Sequence, residues 1–251
     1  MAPAKAALVE IFDSIQGEGR FVGVPMAFVR VATCPLRCTY CDTPHSYAAA
    51  PQFAVHVDGE VRREPNPVTA ERAARLVREA IGTRPVPHPV SVTGGEPLVV
   101  PEFVRALGEA LGTDHPLHLE TAAHDPNALR ACLPAVRHLS ADYKLPETVQ
   151  GRQLGAEHVA CAALALAHGG ITVDVKVVLT ADVGPASFAR ALADLQPVRT
   201  GILLVLQPVT PFGAVTAPLP AERLHGFRRQ AVDAGFTVRV LPQVHRLLGV
   251  P

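Results

Sequence analysis

The chain has no surplus of charge: 23 Lys and Arg balance 23 Asp and Glu in 251 residues. Nothing in that balance points to a nucleic-acid groove, an anionic membrane surface or an acidic disordered tail. Charge is also sparse, 18% of the residues where about a quarter is usual. Long hydrophobic runs are missing too; none approaches the roughly 18 residues of a membrane span. The longest, Val159–Ala167, has the length of a buried helix segment. Glu10 and Asp13 interrupt the apolar N-terminal stretch, so no signal peptide is expected. Cysteines number only five, an odd count that argues against a secreted disulfide framework and for a reducing, cytoplasmic setting. Neither a membrane protein nor a coiled coil is expected.

Apolar residues, 48% of the chain, supply material for a real core. Short β-rich runs alternate with longer amphipathic stretches. Strands are predicted at Met26–Ala32, Val90–Thr93, Leu117–Thr121, His138–Ala141, Thr172–Leu179, Ile202–Gln207 and Thr237–Leu241. Helices are predicted at Thr69–Ile81, Pro101–Leu111, Pro126–Cys132, Gly155–His168, Pro185–Leu195 and Ala221–Ala234. This order implies right-handed βαβ units around a parallel sheet. About six units fall short of the eight of a closed barrel. The expected fold is therefore α/β, an open partial (β/α)6-type barrel forming one domain over residues 1–251. A hairpin around an Asp58-Gly59 turn is inserted near residues 52–63, and a tail occupies residues 242–251. Ligands should gather where strands end.

After the strand Met26–Ala32 comes Cys34-Pro-Leu-Arg-Cys38-Thr-Tyr-Cys41-Asp-Thr43. Three thiolates on one loop can hold three corners of a cubane cluster and leave the fourth iron open to a small molecule. Electron-transfer clusters take four cysteines, and a structural zinc site wants four closed ligands. Here only His45 could complete a Cys3His zinc site, which is the alternative. Cys132 and Cys161 stand alone in helical patterns, as small buried hydrophobes would.

Other strand ends carry polar residues. In Thr93-Gly94-Gly95-Glu96-Pro97 the glycines allow close backbone approach, and Glu96 could accept hydrogen bonds from an ammonium group; an ordinary βα turn is the alternative. Gln16-Gly17-Glu18-Gly19 is not a dinucleotide loop, because Val22 stands where Gly or Ala is needed. His118 and Glu120 alternate with leucines and could line a polar barrel interior, or pair as metal ligands short of partners. Asp174 and Lys176 share one strand face, as an interior salt bridge or as ligand-facing groups. Lys144, after Asp142 and Tyr143, could bind a carboxylate or simply be a solvated strand-end lysine.

The CxxxCxxC loop with the downstream GGEP run resembles the radical S-adenosylmethionine (SAM) superfamily. Ile11-Phe12, Ser14–Gly19, Phe28-Val29-Arg30, Cys41-Asp42-Thr43, Glu120-Thr121, Lys176-Val177-Val178, Leu206-Gln207 and the tail Val238–Leu248 together resemble its 7-carboxy-7-deazaguanine synthase family, over nearly the whole chain. The resemblance implies a carbon–nitrogen lyase that converts 6-carboxy-5,6,7,8-tetrahydropterin to 7-carboxy-7-deazaguanine and ammonia. It implies a [4Fe-4S] cluster, SAM and Mg²⁺ as cofactors, an electron donor such as flavodoxin or ferredoxin, and a homodimer. Carried over position by position, Cys34, Cys38 and Cys41 would hold the cluster and Thr43 the Mg²⁺. Tyr40, Asp42, Gly95, Glu96, Asp142, Tyr143 and Lys144 would contact SAM. Ile15, Gln16, Gly17, Arg30, Thr93 and the terminal Pro251 would contact substrate. The chain departs from the family in having Asp142-Tyr143 where Ser-Pro is frequent, and Ala122-Ala123 after Glu120-Thr121. A glycyl-radical-enzyme activase and a non-catalytic, metal-stabilised binding module are the rival functions.

Overall fold

The computed structural model describes residues 3–250, so the Pro251 expectation lies outside the described residues. In chain order the elements begin with β1 (Lys5–Ala6), β2 (Leu8–Ile15), β3 (Pro25–Val31), β4 (Gln52–Val57), β5 (Glu60–Pro65), β6 (Val68–Thr69) and α1 (Ala70–Ile81). Then come β7 (Val90–Gly94), α2 (Pro101–Leu111), β8 (Leu117–Thr121), α3 (Pro126–Cys132), β9 (Val136–Asp142) and α4 (Gly155–His168). The chain finishes with β10 (Thr172–Leu179), α5 (Pro185–Leu195), β11 (Ile202–Pro208), α6 (Ala221–Asp233), β12 (Val238–Val240) and α7 (Val244–Leu248).

Ten strands form one sheet in the order β12-β11-β10-β9-β8-β7-β3-β2-β4-β5. From β3 to β12 every neighbouring pair is parallel. Five of these strands, β7 to β11, are each followed by one of α2 to α6, and β3 reaches α1 by way of β4, β5 and β6, which gives six units in all. The sheet does not close. Its far edge is extended by β2, antiparallel to β3, and by the β4–β5 hairpin, whose β4 pairs with β2. Asp58 and Gly59 turn that hairpin at φ +51° and +81°, the geometry of a type I′ turn.

Strand alternation divides the two faces. Val29, Val31, Val90, Val92, Leu117, Leu119, Leu139, Val173, Val175, Val177, Leu204 and Leu206 point outward and form the core with Ala73, Leu76, Val77, Phe103, Leu107, Cys161 and Phe188 of the helices. Helix starts follow local chemistry. Thr69 caps α1 by accepting from the Arg72 N–H, and Asp125 caps α3 by accepting from Asn127 and Ala128. The opposite face is polar. Ser91, His118, Glu120, His138, Asp142, Asp174, Lys176 and Gln207 project into the concave interior, where the loop after β2 folds back as a plug. Its Phe21 packs edge-on to His138 and His118 at 4.7 and 5.9 Å, and the two imidazoles lie 4.6 Å apart.

Candidate active site

The carboxyl ends of the parallel strands surround a cavity of about 410 Å³. Cys34, Cys38 and Cys41 line it, and each has a free thiol. Their loop wraps an apolar cradle in which Cys34 and Cys38 pack against Leu36, Ala122 and Leu154. Burial there pushes the Cys34 thiol up to about 11 and raises that of Cys38. Lys144 works in the opposite direction on both thiols without offsetting burial. Among the described residues no three His, Cys, Asp or Glu side chains converge around one ion. His45 lines the cavity but is exposed. Cys132 and Cys161 lie fully buried in α3 and α4, each raised to about 12 by burial, as structural thiols.

At the end of β7 the glycines line the cavity and also pass close to backbone. A Cβ on Gly94 would meet the backbone of Val31 at 2.5 Å, and one on Gly95 would overlap the Thr33 carbonyl. This close passage lets Gly95 N–H donate to Val31 O and Glu96 N–H to Thr33 O, both at 2.8 Å, so the GGE turn grips the start of the cysteine loop. Glu96 is 1% exposed. Its carboxylate accepts from Leu98 N–H (2.9 Å), Ala122 N–H (2.8 Å) and the Thr121 hydroxyl. Most of its acceptor capacity thus braces β7 against the turn after β8, and little is left for an ammonium ligand.

Two lysines define the charge pattern. Lys144 Nζ donates to Asp142 Oδ2 (2.8 Å) and to the Tyr40 hydroxyl (3.1 Å). Lys176 pairs with Glu18 and lies 3.3 Å from Asp142 Oδ1. Burial works against the Lys144 ammonium, but Asp142 and Tyr40 outweigh it and hold its pKa well above the usual value. Burial likewise raises Glu18, and Lys176 reverses the effect to leave it below the ordinary range. Asp174 and Lys176 are not a pair. Asp174 sits deeper, accepts from Arg20 N and Nε at 2.8 Å, and lies 3.5 Å from His138 Nε2. Tyr143 does not reach the cavity: strand alternation turns it outward, where its hydroxyl donates to Asp194 Oδ2 at 2.6 Å.

The opposite wall carries Ile15, Gln16, Gly17, Arg30, Asp42, Thr43 and Thr93. The Gln16 side chain is engaged internally. Its amide nitrogen donates to Glu120 (2.9 Å) and its oxygen accepts from Glu18 N–H (3.0 Å). Glu120 also accepts from Ser91 at 2.6 Å, so it lines the interior as a hydrogen-bonded group and is not half of a metal pair with His118. Arg30 is anchored through Nε to Glu10 (2.8 Å), with its guanidinium 5.7 Å above the Phe12 ring.

The tail covers this wall. Val244 N–H donates to Gly17 O at 2.9 Å, and the His245 ring occupies the space a side chain at Gly17 would need. Gln243 Nε2 reaches Glu18 Oε1 (2.8 Å) and Asp42 Oδ2 (3.3 Å), and Arg246 donates to the same Asp42 oxygen at 2.9 Å. The lining includes Glu120 and Lys176, whose inward phase is read from the sequence, and also Glu18, Gln207, Gln243, His245 and Arg246, for which that reading names no role. The strand-end position of Gln207 was an available signal. The tail contacts were not, since they join positions about 200 residues apart in sequence with no local pattern to announce them.

Comparison with known proteins agrees with this architecture. The radical SAM superfamily signature matches residues 29–142, from β3 to the end of β9. The 7-carboxy-7-deazaguanine synthase of Geobacter sulfurreducens is 31% identical over 252 residues, covering 99% of each chain. That of Archaeoglobus fulgidus is 32% identical, covering 98% of this chain and 99% of its own. The crystal structure of QueE from Escherichia coli superposes with a TM-score of 0.61 over 96% of this chain and 95% of that one, at 18% identity, a likeness of fold. With relatives above 30% identity matched from end to end, the chain belongs to the 7-carboxy-7-deazaguanine synthase family of radical SAM proteins.

Proposed function

We propose that this chain converts 6-carboxy-5,6,7,8-tetrahydropterin to 7-carboxy-7-deazaguanine and ammonia, as a carbon–nitrogen lyase of 7-deazapurine (queuosine-type) biosynthesis. One observation carries the reading beyond family membership. Three thiols without a fourth, two buried lysines and an arginine-bearing wall face the same tail-covered cavity. When bound, a [4Fe-4S] cluster and SAM supply one-electron reductive cleavage and the carbon radical that follows from it. The chain's own residues bind, orient and exclude water.

In this reading Cys34, Cys38 and Cys41 hold three irons. Tyr40, Asp42, Gly95, Asp142 and Lys144 surround SAM, with Lys144 offering its ammonium to the methionyl carboxylate. Glu96 and Tyr143 support that site from the protein side. Ile15, Gln16 and Gly17 present backbone groups to the pterin. Arg30 and Thr93 take its polar edge, and a guanidinium anchored only through Nε suits a carboxylate. Thr43 offers a hydroxyl oxygen 3.9 Å from the Cys41 sulfur, a hard donor that suits Mg²⁺. An electron donor such as flavodoxin or ferredoxin, a homodimer, a cytoplasmic location and a single domain over residues 1–251 belong to the same proposal. Among the described residues no helix is long and apolar enough to cross a membrane.

A glycyl-radical-enzyme activase must admit a polypeptide, and here Gln243, Val244 and Arg246 close the rim. The deciding experiment is anaerobic reconstitution followed by incubation with SAM, reductant, Mg²⁺ and the tetrahydropterin. Mass spectrometry is expected to find the deazaguanine acid and one ammonia per product. SAM cleavage without either, or zinc near one per chain and no iron–sulfur absorbance, contradicts the proposal.

A further inference from the structure

We propose that His158, on α4 and outside the cavity, is a positioning residue that fixes the pose of Lys144. The inference rests on the reading of Lys144 as a SAM contact. Lys144 lies two residues beyond the end of β9, and its backbone N–H is satisfied by a side chain: it donates to His158 Nε2 at 3.0 Å. A nitrogen that accepts carries no proton, so the proton of the neutral ring sits on Nδ1, which donates to Ala123 O at 3.1 Å. His158 is 2% exposed, and burial lowers its pKa to about 4, so this tautomer persists at neutral pH.

The ring therefore joins two strand ends. Ala123 sits in the turn after β8 at φ +48°, a conformation that needs outside support in a residue with a side chain. Its neighbour Ala122 donates to Glu96, so a continuous path runs from the GGE turn through Glu96, Ala122, Ala123 and His158 to Lys144. Tyr143 adds a second anchor, with its hydroxyl on Asp194 and its ring 4.8 Å from that of His158. These two outward contacts hold the turn that aims Asp142 and Lys144 inward.

The test is SAM binding to the anaerobically reconstituted full chain, measured by titration calorimetry with iron content and melting temperature recorded for each variant. His158→Phe is expected to weaken binding roughly tenfold, the scale of one lost positioning hydrogen bond. His158→Gln, whose amide oxygen can reach the place of Nε2, should stay within about threefold of the parent. Tyr143→Phe should weaken binding by about two- to fivefold with iron unchanged. In a Lys144→Met background His158→Phe should add almost nothing, because the two act through one group. Equal losses for Phe and Gln at position 158, an undiminished effect without Lys144, or no effect at all overturns the proposal. A parent protein that carries the cluster yet fails to bind SAM overturns instead the site reading beneath it.

Discussion

Replacing one thiol removes one of the three proposed cluster ligands on the loop after β3. Cys38→Ser is accordingly expected to abolish SAM cleavage, read as loss of 5′-deoxyadenosine together with a fall in bound iron. Thr43→Ala should leave cleavage intact, slow product formation and weaken its Mg²⁺ dependence; an unchanged response to Mg²⁺ removes Thr43 from the metal site. Glu96 behaves differently. It accepts three hydrogen bonds from protein groups, so Glu96→Ala leaves the buried Leu98 and Ala122 N–H groups without their acceptor. A loss of about 2–4 kcal/mol is expected, visible as a lower melting temperature in the metal-free protein before any ligand is added. Unchanged stability would show that Glu96 is free for SAM after all.

The eight-residue tail segment 243–250 docks through a few specific contacts onto Gly17, Glu18 and Asp42. Truncation after Pro242, or Gln243→Ala with Arg246→Ala, opens the substrate wall to water. Product should then fall roughly tenfold relative to 5′-deoxyadenosine released, while SAM binding changes little. Equal product yield per SAM cleaved would mean that the tail does not seal the site. At this scale the sequence was legible where periodicity is regular. The boundaries of β8, β10 and α2 to α5 agree with those predicted, and the strand-end motifs do meet in one cavity. The strand β2 was missed because a register shift between Leu8 and Glu10 breaks its alternation, and its burial runs in pairs rather than singly. The helix α7 was missed because five largely exposed residues carry too little periodicity to read. Motif spacing announces a close approach at the GGE turn but not its backbone partners, Val31 and Thr33, nor the Ala122 N–H from which Glu96 accepts. Tyr143 was included with its neighbours because the resemblance marks a tripeptide, whereas alternation sends its ring the other way.

Across the whole molecule the buried ionisable groups act together on stability. Burial lowers His118 and His158, and Glu18, Asp42 and Asp174 lie below their ordinary values because cationic partners outweigh burial. The unfolded chain therefore binds more protons than the folded one as the medium is acidified. For His158 the contribution is complete above the unfolded value of 6.5 and is lost as pH falls toward about 4; for the carboxylates the loss follows below pH 4.5. The melting temperature of the apoprotein should decline from near pH 6.5 downward, and His158→Gln should flatten the upper part of that decline. A melting temperature constant from pH 7 to 5 in the parent contradicts the assignment of neutral buried histidines.

The account as a whole depends on three thiolates sharing a cluster that keeps one iron for SAM. A crystal structure grown without air, with SAM and the tetrahydropterin present, tests this most directly. It should find Cys34, Cys38 and Cys41 on three irons, the amino and carboxylate groups of SAM on the fourth, and the pterin between Arg30 and the tail. Four irons all bound by side chains, or a lone tetrahedral ion in their place, would contradict it.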